Sequence, residues 1–167
     1  MKYLTPILKS TAKQHFDQLD AESIQYRFGS ALKKEAIHKY VDNAKGSFFA
    51  IMKIKSDLSL CPVSVMHLVQ GSKPGEVEIG ISTLKKYQGK GYAKQLMMFA
   101  KGIAELNGTE TLKVFGVPDN TPMKELAKSV GFKVTQVVGE EFDGTAYTSK
   151  KIITDMLLTM FTKKEQQ

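Results

Sequence analysis

The sequence predicts a mixed α/β domain, with a mostly antiparallel sheet of about six or seven strands and helices on both faces. Three observations predict it. The first quarter carries apolar residues at helical spacing. From Phe48 to Thr83 the pattern changes to short β-branched and apolar runs separated by turns. From Tyr87 onward, helical stretches alternate with strand-like ones.

Taken in order, Met1 to Leu8 reads as a first strand ending near Pro6. Ser10 to Phe28 reads as helix broken near Asp20, with Phe16, Leu19, Ile24 and Phe28 as its apolar positions. Ser30 to Ala44 is a second helix with Leu32, Ala36, Ile37, Tyr40 and Val41 on one face, ended by Gly46. Phe48 to Ile54, Pro62 to Val69 and Glu76 to Thr83 are three strands, joined by turns at Ser56 to Ser59 and Gly71 to Gly75. Tyr87 to Leu106 is a long helix entered through glycines and left through Asn107 and Gly108. Thr111 to Val117 is a strand, Pro122 to Val130 a short helix stopped by Gly131, and Phe132 to Val138 another strand. Thr145 to Ile153 reads as a last strand, pairing with Val134 to Val138 across Gly139 to Gly144. In the tail Met156, Leu157, Met160 and Phe161 fit helical spacing, while Met156, Leu158 and Met160 also alternate as in a strand; a strand followed by a helical end is the expectation. No repeat or linker divides residues 1–167, so one domain is expected, with its core at about 3–153 and a tail at 154–167.

Composition narrows the function classes. Residue content is 42% hydrophobic and 25% charged, as in a globular protein. The start lacks the apolar run of a signal peptide, and no stretch approaches the roughly 18 apolar residues of a membrane span. A cytoplasmic protein with no membrane partner is the expectation. Cys61, the one cysteine, lies beside Pro62 in an apolar stretch and reads as a packed side chain rather than a nucleophile. His15, His38 and His67 have no metal-ligand spacing, so no metal site is expected. The formal charge of +7 favours an anionic ligand. Without a basic run or interleaved aromatics it does not point to nucleic acid.

The segment EVEIGISTLKKYQGKGYAKQLM carries the chemistry: a strand, a glycine turn, then an amphipathic helix. The first amides of a helix lack internal partners, and the helix dipole favours negative charge there, so a phosphate fits. Gly89 and Gly91 let the backbone approach such a ligand, and Lys90 and Lys94 add positive charge. The turn is neither a P-loop nor a dinucleotide fingerprint.

In context the segment resembles the GNAT superfamily of N-acetyltransferases. The superfamily signature [RQ]-x-x-G-x-[GA] appears as Gln88-Gly89-Lys90-Gly91-Tyr92-Ala93. Glu78 stands ten residues before Gln88, and LKVFGVPDN, TPMKELAKSV and Gly131-Phe132 follow in the superfamily's order. The likeness spans roughly Leu19 to Gly144. LDAESIQYRF and NTPMKELAKSVGF look like the branch of bacterial protein-lysine acetyltransferases, though Tyr26-Arg27-Phe28 is an incomplete form of that branch's element.

The resemblance implies acetyl-CoA as donor and direct attack by a primary amine, from a protein lysine or a small molecule. Glu78 is the implied general base, with Glu76 of the same strand parity in reserve. Backbone N–H groups within Ile81, Ser82 and Thr83 are implied to face the thioester oxygen. Gln88 to Lys94 are implied to bind the cofactor, and Asn120 to contact it or cap the following helix. Many members carry a tyrosine four residues before the Gly-Phe pair as general acid. Here the residue is Ala127, leaving Tyr147 or Tyr92 as substitutes, or a thiolate that leaves unaided. Glu22, Glu35, Asp42, Glu140, Glu141 and Asp143 could build an acidic acceptor groove. A non-catalytic acyl-CoA-binding sensor is the competing reading. The apolar tail could pack on the domain or form a homodimer contact.

Overall fold

A computed structural model describes residues 2–136, 139 and 141–149. Strand β1 (Lys2–Ile7) leads into helices α1 (Lys9–Phe16), α2 (Ala21–Phe28) and α3 (Lys34–Asn43). Strands β2 (Ser47–Ile54), β3 (Leu60–Gln70) and β4 (Glu76–Thr83) follow, then a 3-10 turn (Lys85–Tyr87) and α4 (Tyr92–Leu106). The rest is β5 (Thr111–Gly116), α5 (Thr121–Ser129), β6 (Lys133–Gln136) and β7 (Phe142–Tyr147). These strands form one sheet in the order β1-β2-β3-β4-β5-β7-β6. Among the described residues, only the β4–β5 pair is parallel.

Neighbouring residues of β2 show the two layers, because successive strand side chains point to opposite faces. Phe48 meets Phe16 of α1 and stacks on His67 of β3. Phe49 meets Phe99 of α4. Helices α1 to α3 therefore cover one face and α4 the other. On α4 the buried residues Leu96, Met97, Ala100 and Ala104 recur at one-turn spacing. They join Ile51, Met66, Ile79 and Leu112 of the sheet in a continuous core. Cys61 is buried in the same cluster.

Several boundaries differ from the sequence reading. β1 continues through Pro6, which an edge strand tolerates because it pairs on one side only. α3 starts at Lys34 and ends at Asn43, so Gly46 lies in the following loop at φ +84. α4 starts at Tyr92, and the residues before it form the 3-10 turn and the glycine turn. β7 starts at Phe142 and lies between β5 and β6. Gly144, a turn residue on the sequence reading, sits inside this strand because a Cβ there would come within 2.6 Å of Val114 Cγ2. The expected strand end at Ile153 and the helical tail lie outside the described residues, as does Glu140.

α2 needs its cap. Asp20 Oδ1 accepts from the Ser23 N–H at 2.8 Å, and bonding to Ser23 holds the carboxyl below its usual range. Asp20→Ala is expected to cost about 1 kcal/mol of stability, read from the midpoint of urea unfolding.

Candidate active site

The site begins where the parallel pair lets go. β4 and β5 are in register at Glu76↔Thr111, Val77↔Leu112 and Glu78↔Lys113 only. Beyond that point β4 continues against β3 as far as Thr83, while β5 continues against β7 as far as Gly116. The gap between them is the core of a cleft of about 950 Å³ that reaches both faces of the sheet. Glu78 and Gly80 belong to the wall on the α2–α3 side, Asn120 and Met123 to the wall at α5.

Strand alternation fixes which backbone groups enter the gap. The Leu84 N–H donates to Val63 O, toward β3. The N–H groups of Thr83 and Ile81 therefore turn toward the gap, and that of Ser82 turns away from it. Of the three residues expected to offer an amide, two do so. The side chain of Ser82 bonds His15, and that of Thr83 bonds Ser64.

At the end of β4 the chain makes the glycine turn. Gly89 and Gly91 adopt φ +69 and +77, the left-handed region that glycine enters without a Cβ penalty. A Cβ on either would meet open space, so both face the cleft rather than packed protein. Gly91 is the N-cap of α4 and offers no capping side chain. Among the described residues, the N–H groups of residues 89–94 find no acceptor in the protein. This is a run of donors at the positive end of a fifteen-residue helix.

The predicted side chains around the turn divide. Lys94 lines the cleft. Gln88 braces the turn, its Nε2 donating to Thr83 O at 3.1 Å and to Ser23 Oγ at 3.4 Å. Lys90 is drawn back, with Nζ donating to Lys86 O at 3.0 Å and lying over the Tyr87 ring, so it contributes its amide rather than its charge. The Tyr92 ring is buried beneath Lys2 on the β1 side. Asn120 caps α5, its Oδ1 accepting from Met123 N–H at 3.1 Å, while the residue lines the cleft.

The two carboxylates on β4 part company. Glu76 is buried, and its Oε1 accepts from the N–H and the hydroxyl of Ser72, each at 3.2 Å. It holds the β3–β4 turn and is not part of the cleft. Glu78 is half-buried in the cleft wall, at the last rung before the strands separate. Lys113, its partner in register, is committed to Asp143 at 2.7 Å. Glu78 forms no ion pair among the described residues.

The rest of the wall on the α2–α3 side is largely invisible to sequence reading. His67 is buried and its Nε2 lies 2.5 Å from Lys45 O, which can only accept, so Nε2 carries the proton. Burial, and then the charge of Arg27, hold its pKa below the usual value against the opposing bond to Lys45. Its Nδ1 accepts from the Tyr40 hydroxyl at 2.9 Å, and Tyr40 in turn accepts from Arg27 Nη2 at 3.1 Å. From sequence, Tyr40 reads only as part of an apolar helix face and His67 only as a residue without ligand spacing. Neither pattern signals a hydrogen-bond chain spanning three elements.

Ala127 is fully buried and offers no hydroxyl. Tyr147 pairs with Thr111, at the closed end of the β4–β5 pair, outside the cleft. Of the carboxylates expected to build an acceptor groove, Glu22 and Glu141 line the cleft, Glu22 pairing with Lys85 at 2.6 Å, while Asp42 pairs with Lys13 at 2.6 Å and Asp143 with Lys113. Among the described residues, no group of three histidine, cysteine, aspartate or glutamate side chains could hold a metal ion. No described helix is long and apolar enough to cross a membrane.

Solved structures share this architecture. A domain from Methanocaldococcus jannaschii DSM 2661 matches with a TM-score of 0.69 at 15% identity, over 88% of this chain and 98% of that one. The GNAT domain of S. lividans PAT matches with a TM-score of 0.68 at 15% identity, over 86% and 89%. The protein yncA of Salmonella typhimurium, solved with its cofactor acetyl-CoA, matches with a TM-score of 0.63 at 12% identity, over 88% and 94%. No curated protein sequence matches the chain. The family model for acetyltransferases of the GNAT family matches residues 14–132, and the chain belongs to that family.

Proposed function

We propose that the protein transfers an acetyl group from acetyl-CoA to a primary amine by direct attack, with Glu78 as the base. The observation that carries this reading is the run of unpartnered amides at residues 89–94 beside a sheet gap headed by a carboxylate. The donor fits on two counts. Its pyrophosphate suits the amides and the open approach at Gly89 and Gly91, and its extended arm suits unpaired strand edges. When bound, acetyl-CoA supplies an activated acyl group on a thiolate that leaves readily, since free thiols have a pKa near ~8.5.

The remaining chemistry falls to the chain's own side chains and amides. Residues 89–94 and Lys94 hold the phosphates, and Asn120 and Met123 flank the arm. An amine with a pKa near ~10.4 arrives protonated, and Glu78 accepts that proton directly or through one water. The N–H groups of Ile81 and Thr83 stabilise negative charge developing on a carbonyl oxygen between the strands. Ala127 cannot protonate the departing sulfur, so the thiolate leaves by virtue of its own low basicity.

Thiol release from acetyl-CoA with an amine panel and a lysine peptide tests the reading. Glu78→Gln is expected to lower kcat/KM about 10²-fold with the Kd for acetyl-CoA unchanged. Full activity in Glu78→Gln would remove it as the base. Tight acetyl-CoA binding without turnover of any acceptor would favour a sensor.

A further inference from the structure

Arg27 is the one arginine of the chain, and it stands in the cleft wall on the side of α2 and α3. Among the described residues it forms no ion pair, although Asp17, Glu22, Asp42, Glu125 and Asp143 each pair with a lysine. Its guanidinium is held in place by rings, 4.9 Å from the Phe28 centroid and 5.6 Å from that of Tyr40. It donates one bond, to Tyr40, out of the five N–H groups a guanidinium carries. The strand beneath makes room for it, since a Cβ at Gly80 would lie 2.5 Å from Nη2 and 2.6 Å from Cζ. Gly80 itself has no positive φ that would require glycine. A fixed, incompletely bonded guanidinium against a glycine is a fork for a carboxylate.

Glu78 and Gly80 lie on the same face, one two-residue step apart along β4, roughly 6.5 Å. Two such neighbouring positions can be engaged by one small molecule whose ammonium and carboxylate each make one charge-assisted hydrogen bond of about 2.8 Å. Nearby, Phe28, Leu32, Val69 and Phe115 give the cleft an apolar lining for a side chain. We infer that the acceptor is a small amine that also carries a carboxylate, of the amino-acid class, with Arg27 binding the carboxylate while the amine faces Glu78.

This inference rests on the acetyl-transfer reading, so its test separates the two. Thiol release is measured for a panel of amino acids, each beside its carboxamide and a lysine peptide. Binding of the same compounds to the CoA-loaded protein is measured by calorimetry. The acids are expected to exceed their amides about 10²-fold in kcat/KM, mainly through KM. Arg27→Gln is expected to erase that preference by bringing the acids down to the level of the amides. Gly80→Ala, which displaces the guanidinium without removing it, is expected to do the same. Unchanged CoA affinity and far-UV circular dichroism guard against misfolding of either variant, and the acid–amide comparison in the natural protein needs no variant. Amides or peptide acetylated as well as the acids, or equal losses for both in Arg27→Gln, would overturn the inference. Acid-selective binding that depends on Arg27 but gives no turnover would uphold the carboxylate site and sink the transferase reading. No turnover and no selective binding would sink both.

Discussion

Gly91→Glu is expected to weaken acetyl-CoA binding about 10³-fold, beyond detection in a calorimetric titration. The side chain would enter open space at the mouth of α4, where the N–H groups of residues 89–94 have no acceptor among the described residues. A carboxylate there caps those donors and repels the phosphates they would otherwise hold. Loss of two charge-assisted hydrogen bonds at about 1.5–3 kcal/mol each corresponds to two to four decades of affinity. The residue's φ of +77 adds strain of about 1–2 kcal/mol, which lowers stability without touching the ligand. Gly91→Ala separates the contributions, because it introduces the strain and a methyl group with no contact within 4 Å but no charge. The alanine variant should therefore bind within roughly tenfold of the natural protein. Equal binding by the glutamate variant would mean that phosphates do not sit at this helix.

Stability is expected to fall by about 3 kcal/mol as the pH drops from 6.5 to 4, the pKa limits set by His15. His15 is fully buried on α1 and its pKa is lowered from 6.5 to about 4, chiefly by burial, with Arg27 adding in the same direction. The neutral ring donates from Nδ1 to Pro62 O at 2.8 Å and accepts at Nε2 from the Ser82 hydroxyl at 2.9 Å. Protonation would bury a charge and reverse the second bond. Between the two pKa values the unfolded chain binds the extra proton and the folded one does not, so stability rises with pH through this window. It is fully present above about 6.5 and lost as the pH approaches 4, at about 1.36 kcal/mol per unit. His67, also lowered, acts with the same sign. Asp17, Asp20, Asp42, Asp57 and Glu105 are also held below their usual values by hydrogen bonds, so their contribution has the same sign and enters at the acid end of this window. Urea unfolding across pH 4 to 7 reads the slope, and His15→Gln should flatten it. A flat profile in the natural protein would show that His15 is charged when buried or titrates normally.

Much of this site was legible because its parts are local. The strand from Glu76 to Thr83, the glycines before Tyr92 and the cap at Asn120 each follow from a few neighbouring residues. The finer placements depend on hydrogen bonds and close contacts that motif spacing does not show. Glu76 shares strand parity with Glu78, but a turn closes over it once Gly71 leaves room for its carboxylate. Gln88 and Lys90 match a ligand-binding pattern; both side chains donate to nearby carbonyls, and of the two Gln88 still lines the cleft. The placement of β7 between β5 and β6 rests on Gly144 fitting against Val114, a contact that a glycine in sequence cannot announce. Arg27 is conspicuous as a lone arginine, yet its lack of a counter-ion among the described residues becomes visible only when the carboxylates elsewhere are seen with their lysines.

A gap that opens on both faces of the sheet is a corridor with two doors. One lies at the head of α4 beside α5, the other among α2, α3 and the edge of β5. On the proposed reading the donor uses the first door and the amine the second, so neither traveller waits for the other to leave. Initial rates measured against both substrates would then give intersecting double-reciprocal lines, and the acetylated product could depart while the carrier still occupied its own entrance.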